Sequence, residues 1–119
     1  MNRKQHLTIG TIAFIVYTYF IFLIIKISGD TIIYAFIAVV LGSIIPDILE
    51  PPTNWMHRGL GHSKRALRFT GKIFAVTALI GLLSYIAVIF SVFYVISNLF
   101  LGYAFHLLAD ATTEIGLPD

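Results

Sequence analysis

Apolar positions run almost unbroken through this chain, and polar residues interrupt them in only a few places. The first apolar run, Leu7 to Ile25, is closed by Lys26 and then Ser28-Gly29-Asp30, a turn signal. The second extends from Thr31 to Leu49, with Pro46 near its end. From Ile73 to Ala109 there are 37 residues without a formal charge. A helix needs about 20 residues to cross the hydrocarbon core of a bilayer. The first two runs therefore supply one span each. The last is too long for one span and just enough for two joined by a tight turn. That turn is expected around Gly81 to Ile89. Ser97-Asn98 is a better turn pair by residue type, but a break there leaves a final helix of about a dozen residues, too short to cross. The pattern predicts an all-α membrane protein: a single domain over residues 1–119, folded as a four-helix up-down bundle.

The polar residues gather chiefly in PDILEPPTNWMHRGLGHSK, residues 46–64, between the second and third runs. Pro46 leaves the carbonyl of Gly42 without its usual helical donor, which is tolerable near the interface or where protein covers the backbone. Gly59 and Gly61 let the loop curl. Ser63 is placed to N-cap the third helix. Trp55 and Met56 are expected to anchor the loop at the interface.

Composition supports this reading. Of 119 residues, 58% are hydrophobic and 12% charged, against about 25% charged in a soluble domain. Mean hydropathy is +0.90. There is no cysteine, so disulfides are excluded. The net charge of +2 comes from basic residues flanking the apolar runs, a topology signal rather than a nucleic-acid-binding one. The first apolar run exceeds the roughly 7–15 residues of a signal-peptide core and has no evident cleavage site, so it reads as a retained span.

Four spans have a geometric consequence. The start of helix 1, the end of helix 2, the start of helix 3 and the end of helix 4 share one membrane side. His6, Asp47, His57, His62, His106 and Asp110 all fall there, with Arg3, Lys4, Arg58, Lys64, Arg65, Arg68 and Lys72. Lys26 alone among the basic residues lies opposite, so the polar side is expected to face the cytoplasm.

His106 and Asp110, four apart, occupy one helical face and can bind one metal ion. A hydrogen-bonded pair that locks helix packing is the plainer explanation of these two alone. His57 and His62 frame HRGLGH and can converge, or can simply be solvated. His6 by itself suggests a surface role. Asp47 is an interfacial carboxylate or a partner for an arginine, and Glu50 a surface acid. Arg58 can pair with a carboxylate or hold an anionic substrate. The spans' Phe and Tyr residues are expected to face lipid or to pack. Taken together, histidines and aspartates from four segments on one side make a metal site the stronger reading. Such a set suits zinc, with manganese or iron as alternatives.

The ordered set of His6, GSIIPDILE, HRGLGHSK and GYAFHLLADATTEIGLP resembles the inner-membrane metal-dependent hydrolase family, the YdjM-like, LexA-regulated membrane-bound hydrolases. The resemblance covers nearly the whole chain. It implies a small multi-span hydrolase of the prokaryotic inner membrane with metal ligands at His6, Asp47, His57, His62, His106 and Asp110. Arg58, Ser63 and Thr113 match accompanying polar positions. Relatives often continue the PDI segment with another acid or histidine, where this chain has Leu49 and Glu50.

The expected function is metal-dependent hydrolysis at the membrane surface, with Asp47 or Asp110 as general base and Arg58 stabilising developing negative charge. The expected partner is membrane lipid, and the expected substrate an amphipathic or anionic lipid ester or phosphoester drawn by the Lys/Arg belt. Two rivals use the same residues: metal or proton transport, and a structural role in which the cluster holds helices together.

Overall fold

The computed structural model describes residues 3–49, 62–84 and 86–112. They form four helices: α1 (Arg3–Phe22), α2 (Gly29–Leu49), α3 (Lys64–Leu83) and α4 (Ala87–Ala111). All four are long and apolar enough to cross a membrane. The distribution of polarity is that of a protein solvated by lipid. Ile15, Tyr34, Leu79 and Val88 project outward, while His6, Ser43, His62, Ser97, Asn98, His106 and Asp110 are buried.

Local chemistry sets the helix ends. α1 starts before the apolar run and stops at Phe22, so Ile25 and Lys26, expected to end the first span and flank it, lie in the turn to α2. Ser28 opens α2 by accepting a hydrogen bond from the Thr31 amide at 3.3 Å. Ser63 caps α3 as expected, its hydroxyl accepting from the Ala66 amide at 3.0 Å. The turn between α3 and α4 falls inside the expected window. The Ser84 amide closes α3 on the carbonyls of Ile80 and Gly81, and the Ser84 hydroxyl accepts from the Ile86 amide.

Ser97 and Asn98 lie inside α4. Ser97 Oγ and Asn98 Nδ2 donate back to the Tyr94 carbonyl at 2.7 and 3.0 Å. Bonding one turn back lets polar side chains sit mid-helix without breaking it. The Tyr17 hydroxyl bonds Ser97 Oγ at 2.7 Å, and Thr18 Oγ1 bonds the Tyr94 hydroxyl. Two tyrosines expected to face lipid or simply pack therefore belong to an internal polar layer.

α4 is the centre of the bundle and packs against the other three helices, while α1 also packs on α2. The α2–α4 crossing is close because of two glycines. A Cβ on Gly42 would collide with the Leu99 carbonyl, and one on Gly102 with the Val39 carbonyl and, at 2.9 Å, the Ser43 amide. Small residues at such crossings let backbones touch, the usual basis of helix association in lipid. Gly10 does the same for α1, facing the Ser43 hydroxyl. This glycine layer lies one turn from His106 and sets the spacing of the helix ends that carry the polar cluster.

Candidate metal centre

Each helix delivers its part through local geometry. On α1, His6 shares the buried face of Gly10 and Ala13. On α2, Asp47 stands one turn beyond Ser43 and next to Pro46. His62 occupies the turn that Ser63 locks onto α3. On α4, His106 and Asp110 lie on one face.

These five side chains converge. His6 Nε2 is 3.2 Å from Asp110 Oδ1, and His62 Nε2 is 3.2 Å from Asp47 Oδ1. His106 Nε2 sits between the two carboxylates, 3.4 Å from Asp47 Oδ1 and 3.4 Å from Asp110 Oδ2. The His6 and His106 rings stack at 3.6 Å, and His62 meets His106 edge-on at 5.4 Å. Two groups, His6–Asp47–His106 and His62–His106–Asp110, each bring one ligand atom per residue within 4.8 Å of the others. The surface role suggested by His6 alone does not hold, because the ring is only 2% exposed.

His106 reveals the electrostatics. Its Nδ1–H donates to the Ser43 carbonyl at 2.6 Å. In the neutral imidazole this leaves Nε2 with a lone pair. That atom is buried and makes no hydrogen bond, although two carboxylates lie close by. A lone pair aimed at two carboxylate oxygens is repulsive unless a cation or proton stands between them. Two stacked imidazoles cannot both carry charge without mutual repulsion. Two largely buried carboxylates, however, need positive compensation.

The spacing fits a metal ion. Zinc bound tetrahedrally at about 2.0–2.1 Å places its ligand atoms about 3.4 Å apart. The observed separations of 3.2–3.4 Å match that edge, and the 3.2 Å contact between His62 Nε2 and Asp47 Oδ1 is also within hydrogen-bond reach. The bond from Nδ1 to a backbone carbonyl is the usual way of orienting a metal-binding histidine. The donors present therefore fit a divalent ion held by His106 with His6 or His62 and one or both aspartates.

His57 and Arg58, expected in the site, lie outside the described residues, as do Glu50, Trp55, Met56 and Thr113. Sequence reasoning missed the role of Ser43, which acts through its backbone carbonyl. It also missed Gly10, Gly42 and Gly102, which bring the helix ends together. Glycine at 42 and 102, next to or one turn from site residues, was the available signal.

The fold and cluster together define a class: a four-span integral membrane protein with a buried histidine–aspartate centre at one end of its bundle. The family model described as YdjM inner membrane protein matches residues 1–118, and the chain belongs to that family. No curated protein and no solved structure matches it.

Proposed function

We propose that this protein is a membrane-embedded metal-dependent hydrolase whose centre faces the cytoplasm. The single observation that carries the reading is His106, whose Nε2 faces two carboxylates without a hydrogen bond while its Nδ1–H is fixed on Ser43. A divalent ion, zinc before manganese or iron, would be held by His106 either with His6 and Asp47 or with His62 and Asp110, and His57 is assigned as a further ligand. When bound, such an ion supplies Lewis acidity and activates water near neutral pH.

The chain's own residues do the rest. Asp47 is the more exposed of the two acids, with its side chain 15% accessible against 5% for Asp110. This favours it as the base that accepts a proton from incoming water. Asp110 meets both the His6 and His106 rings, 3.2 and 3.4 Å from their Nε2 atoms. Arg58 is assigned the developing negative charge. The excess of basic residues on this side supports the cytoplasmic orientation and a lipid ester or phosphoester as substrate.

Transport is the weaker reading. The polar layer of Tyr17, Thr18, Tyr94, Ser97 and Asn98 is separated from the centre by the glycine layer, where α2 and α4 touch backbone to backbone. A structural role would require a proton instead of a metal ion between His106 Nε2 and the two carboxylates.

The deciding experiment is elemental analysis of the purified chain. Stoichiometric metal in the native protein and its loss in His106→Ala are expected. Native protein that carries no metal and takes up no added zinc would exclude the hydrolase.

A further inference from the structure

An apolar groove of about 340 Å³ opens between α1 and α4, lined by Ile9, Ala13, Val16, Tyr17, Leu101 and Phe105. It starts beside the histidine–aspartate centre, since Ile9 lies one turn from His6 and Phe105 immediately precedes His106. From Ile9 to Tyr17 it runs about 12 Å along α1, close to the roughly 15 Å of one leaflet's hydrocarbon. Ile12, also part of its wall, is shared with a shallower concavity bounded by Arg3, Lys4, Leu7, Thr8 and Thr11. A third hollow, formed by Lys4, Gln5, Thr8 and Ile9, joins the same two surfaces at Ile9. These adjoining hollows form a track from exposed Lys4, past Thr8, to Ile9 at the head of the apolar groove, with Arg3 on the neighbouring concavity.

We infer that this track seats one anionic phospholipid of the surrounding leaflet. Its headgroup lies on Arg3 and Lys4 and one acyl chain in the α1–α4 groove. The order of chemistry along the track is that of the lipid itself: cation for phosphate, hydroxyls for the glycerol region, and an apolar trough for the tail. Hydrocarbon alone would not select the basic end, and a soluble anion would not need the trough. The lipid enters sideways from the bilayer. The inference rests on the proposed hydrolase only in making this lipid the substrate.

The test uses the full chain in vesicles of phosphatidylcholine and phosphatidylglycerol. A trace of phosphatidylglycerol carries a photoactivatable group in its acyl chain. Labelling is expected on residues 9–17 of α1 and around Leu101 and Phe105. Val16→Trp, at a half-exposed groove position, should fill the trough and cut labelling severalfold. Val88→Trp, on the exposed start of α4, should leave it unchanged. Arg3→Gln and Lys4→Gln should each lower the preference for phosphatidylglycerol about fivefold, the effect of one surface charge. Labels spread evenly over Ile33, Val76 and Leu79, no effect of Val16→Trp, or photocross-linked dimers through α1 would each overturn the inference. Groove labelling in protein that binds no metal would sink the hydrolase and leave the lipid seat. Metal-loaded protein without groove labelling would do the reverse.

Discussion

The Ser43 backbone carbonyl accepts the Nδ1–H of His106 at 2.6 Å, across the α2–α4 crossing where Gly42 and Gly102 bring the backbones together. One hydrogen bond thereby fixes both the orientation of the ring and the position of its lone pair. It depends on how near α2 and α4 approach, and so on glycine.

Gly102→Ala should break this relationship. Its new Cβ would meet the Val39 carbonyl and the Ser43 amide, backbone atoms that cannot rotate away. Overpacking of this kind costs about 1–3 kcal/mol, and the displaced α4 carries His106 with it. A lower melting temperature and weaker metal binding are expected together in differential scanning calorimetry and metal titration. A variant with unchanged stability and metal content would refute the link.

Gly10→Ala should behave differently. Its Cβ meets a side-chain hydroxyl, Ser43 Oγ, and lies 3.5 Å from Ser43 Cβ, an ordinary contact. Removing the hydroxyl should therefore rescue it. Gly10→Ala alone should be destabilised, and Gly10→Ala with Ser43→Ala should recover most of the loss. A double-mutant cycle of melting temperatures reads the coupling. Simple additivity would show that the two residues do not clash.

Chelation should separate a metal centre from helix-packing glue. A ligand present at about a hundredfold over its dissociation constant stabilises the folded state by about 2.7 kcal/mol. Stripping the ion should lower the melting temperature of the native protein, and restoring zinc should reverse it. The same treatments should leave His106→Ala unmoved. Equal melting curves with and without chelator in the native protein would point to a purely structural cluster.

Asn98 tests the inner polar layer. Its Nδ2 bonds the Tyr94 carbonyl, but Oδ1 is buried without a hydrogen-bond partner. Removing the amide deletes the unsatisfied Oδ1 together with the Nδ2 bond, and the Tyr94 carbonyl keeps the Ser97 hydroxyl as donor, so no buried group is left unpaired. Asn98→Leu should keep or raise the melting temperature and retain full metal content. Tyr17→Phe removes a donor-acceptor partner of Ser97 and should cost about 1 kcal/mol. A marked loss of metal in Asn98→Leu would show that the inner layer and the centre act as one unit.

Ser63 gives a final check on roles. As a helix cap its loss should cost about 1 kcal/mol. Ser63→Ala should melt earlier, while Ser63→Thr, which keeps the hydroxyl, should restore stability. Hydrolysis that disappears in Ser63→Ala at temperatures where the variant is fully folded and metal-loaded would instead make this hydroxyl a nucleophile.

The sequence by itself determined the number of spans, the cap at Ser63 and the grouping of His6, Asp47, His62, His106 and Asp110 at one end. These follow from the length of helix needed to cross hydrocarbon and from the alternation of ends in an up-down chain. It placed the last turn only within a window, because Ser84 is a fainter signal than Ser97-Asn98. The stronger pair proved compatible with a helix once its side chains bonded back to the Tyr94 carbonyl. Only the tertiary structure decided that His6 is buried, that Tyr17 and Tyr94 join a polar layer, and that His106 offers Nε2 rather than Nδ1. Each depends on what a neighbouring helix presents at a few ångströms: Asp110 beside His6, Ser97 beside Tyr17, the Ser43 carbonyl beside His106. Those distances are set by Gly10, Gly42 and Gly102, which act through the Cβ atoms they lack.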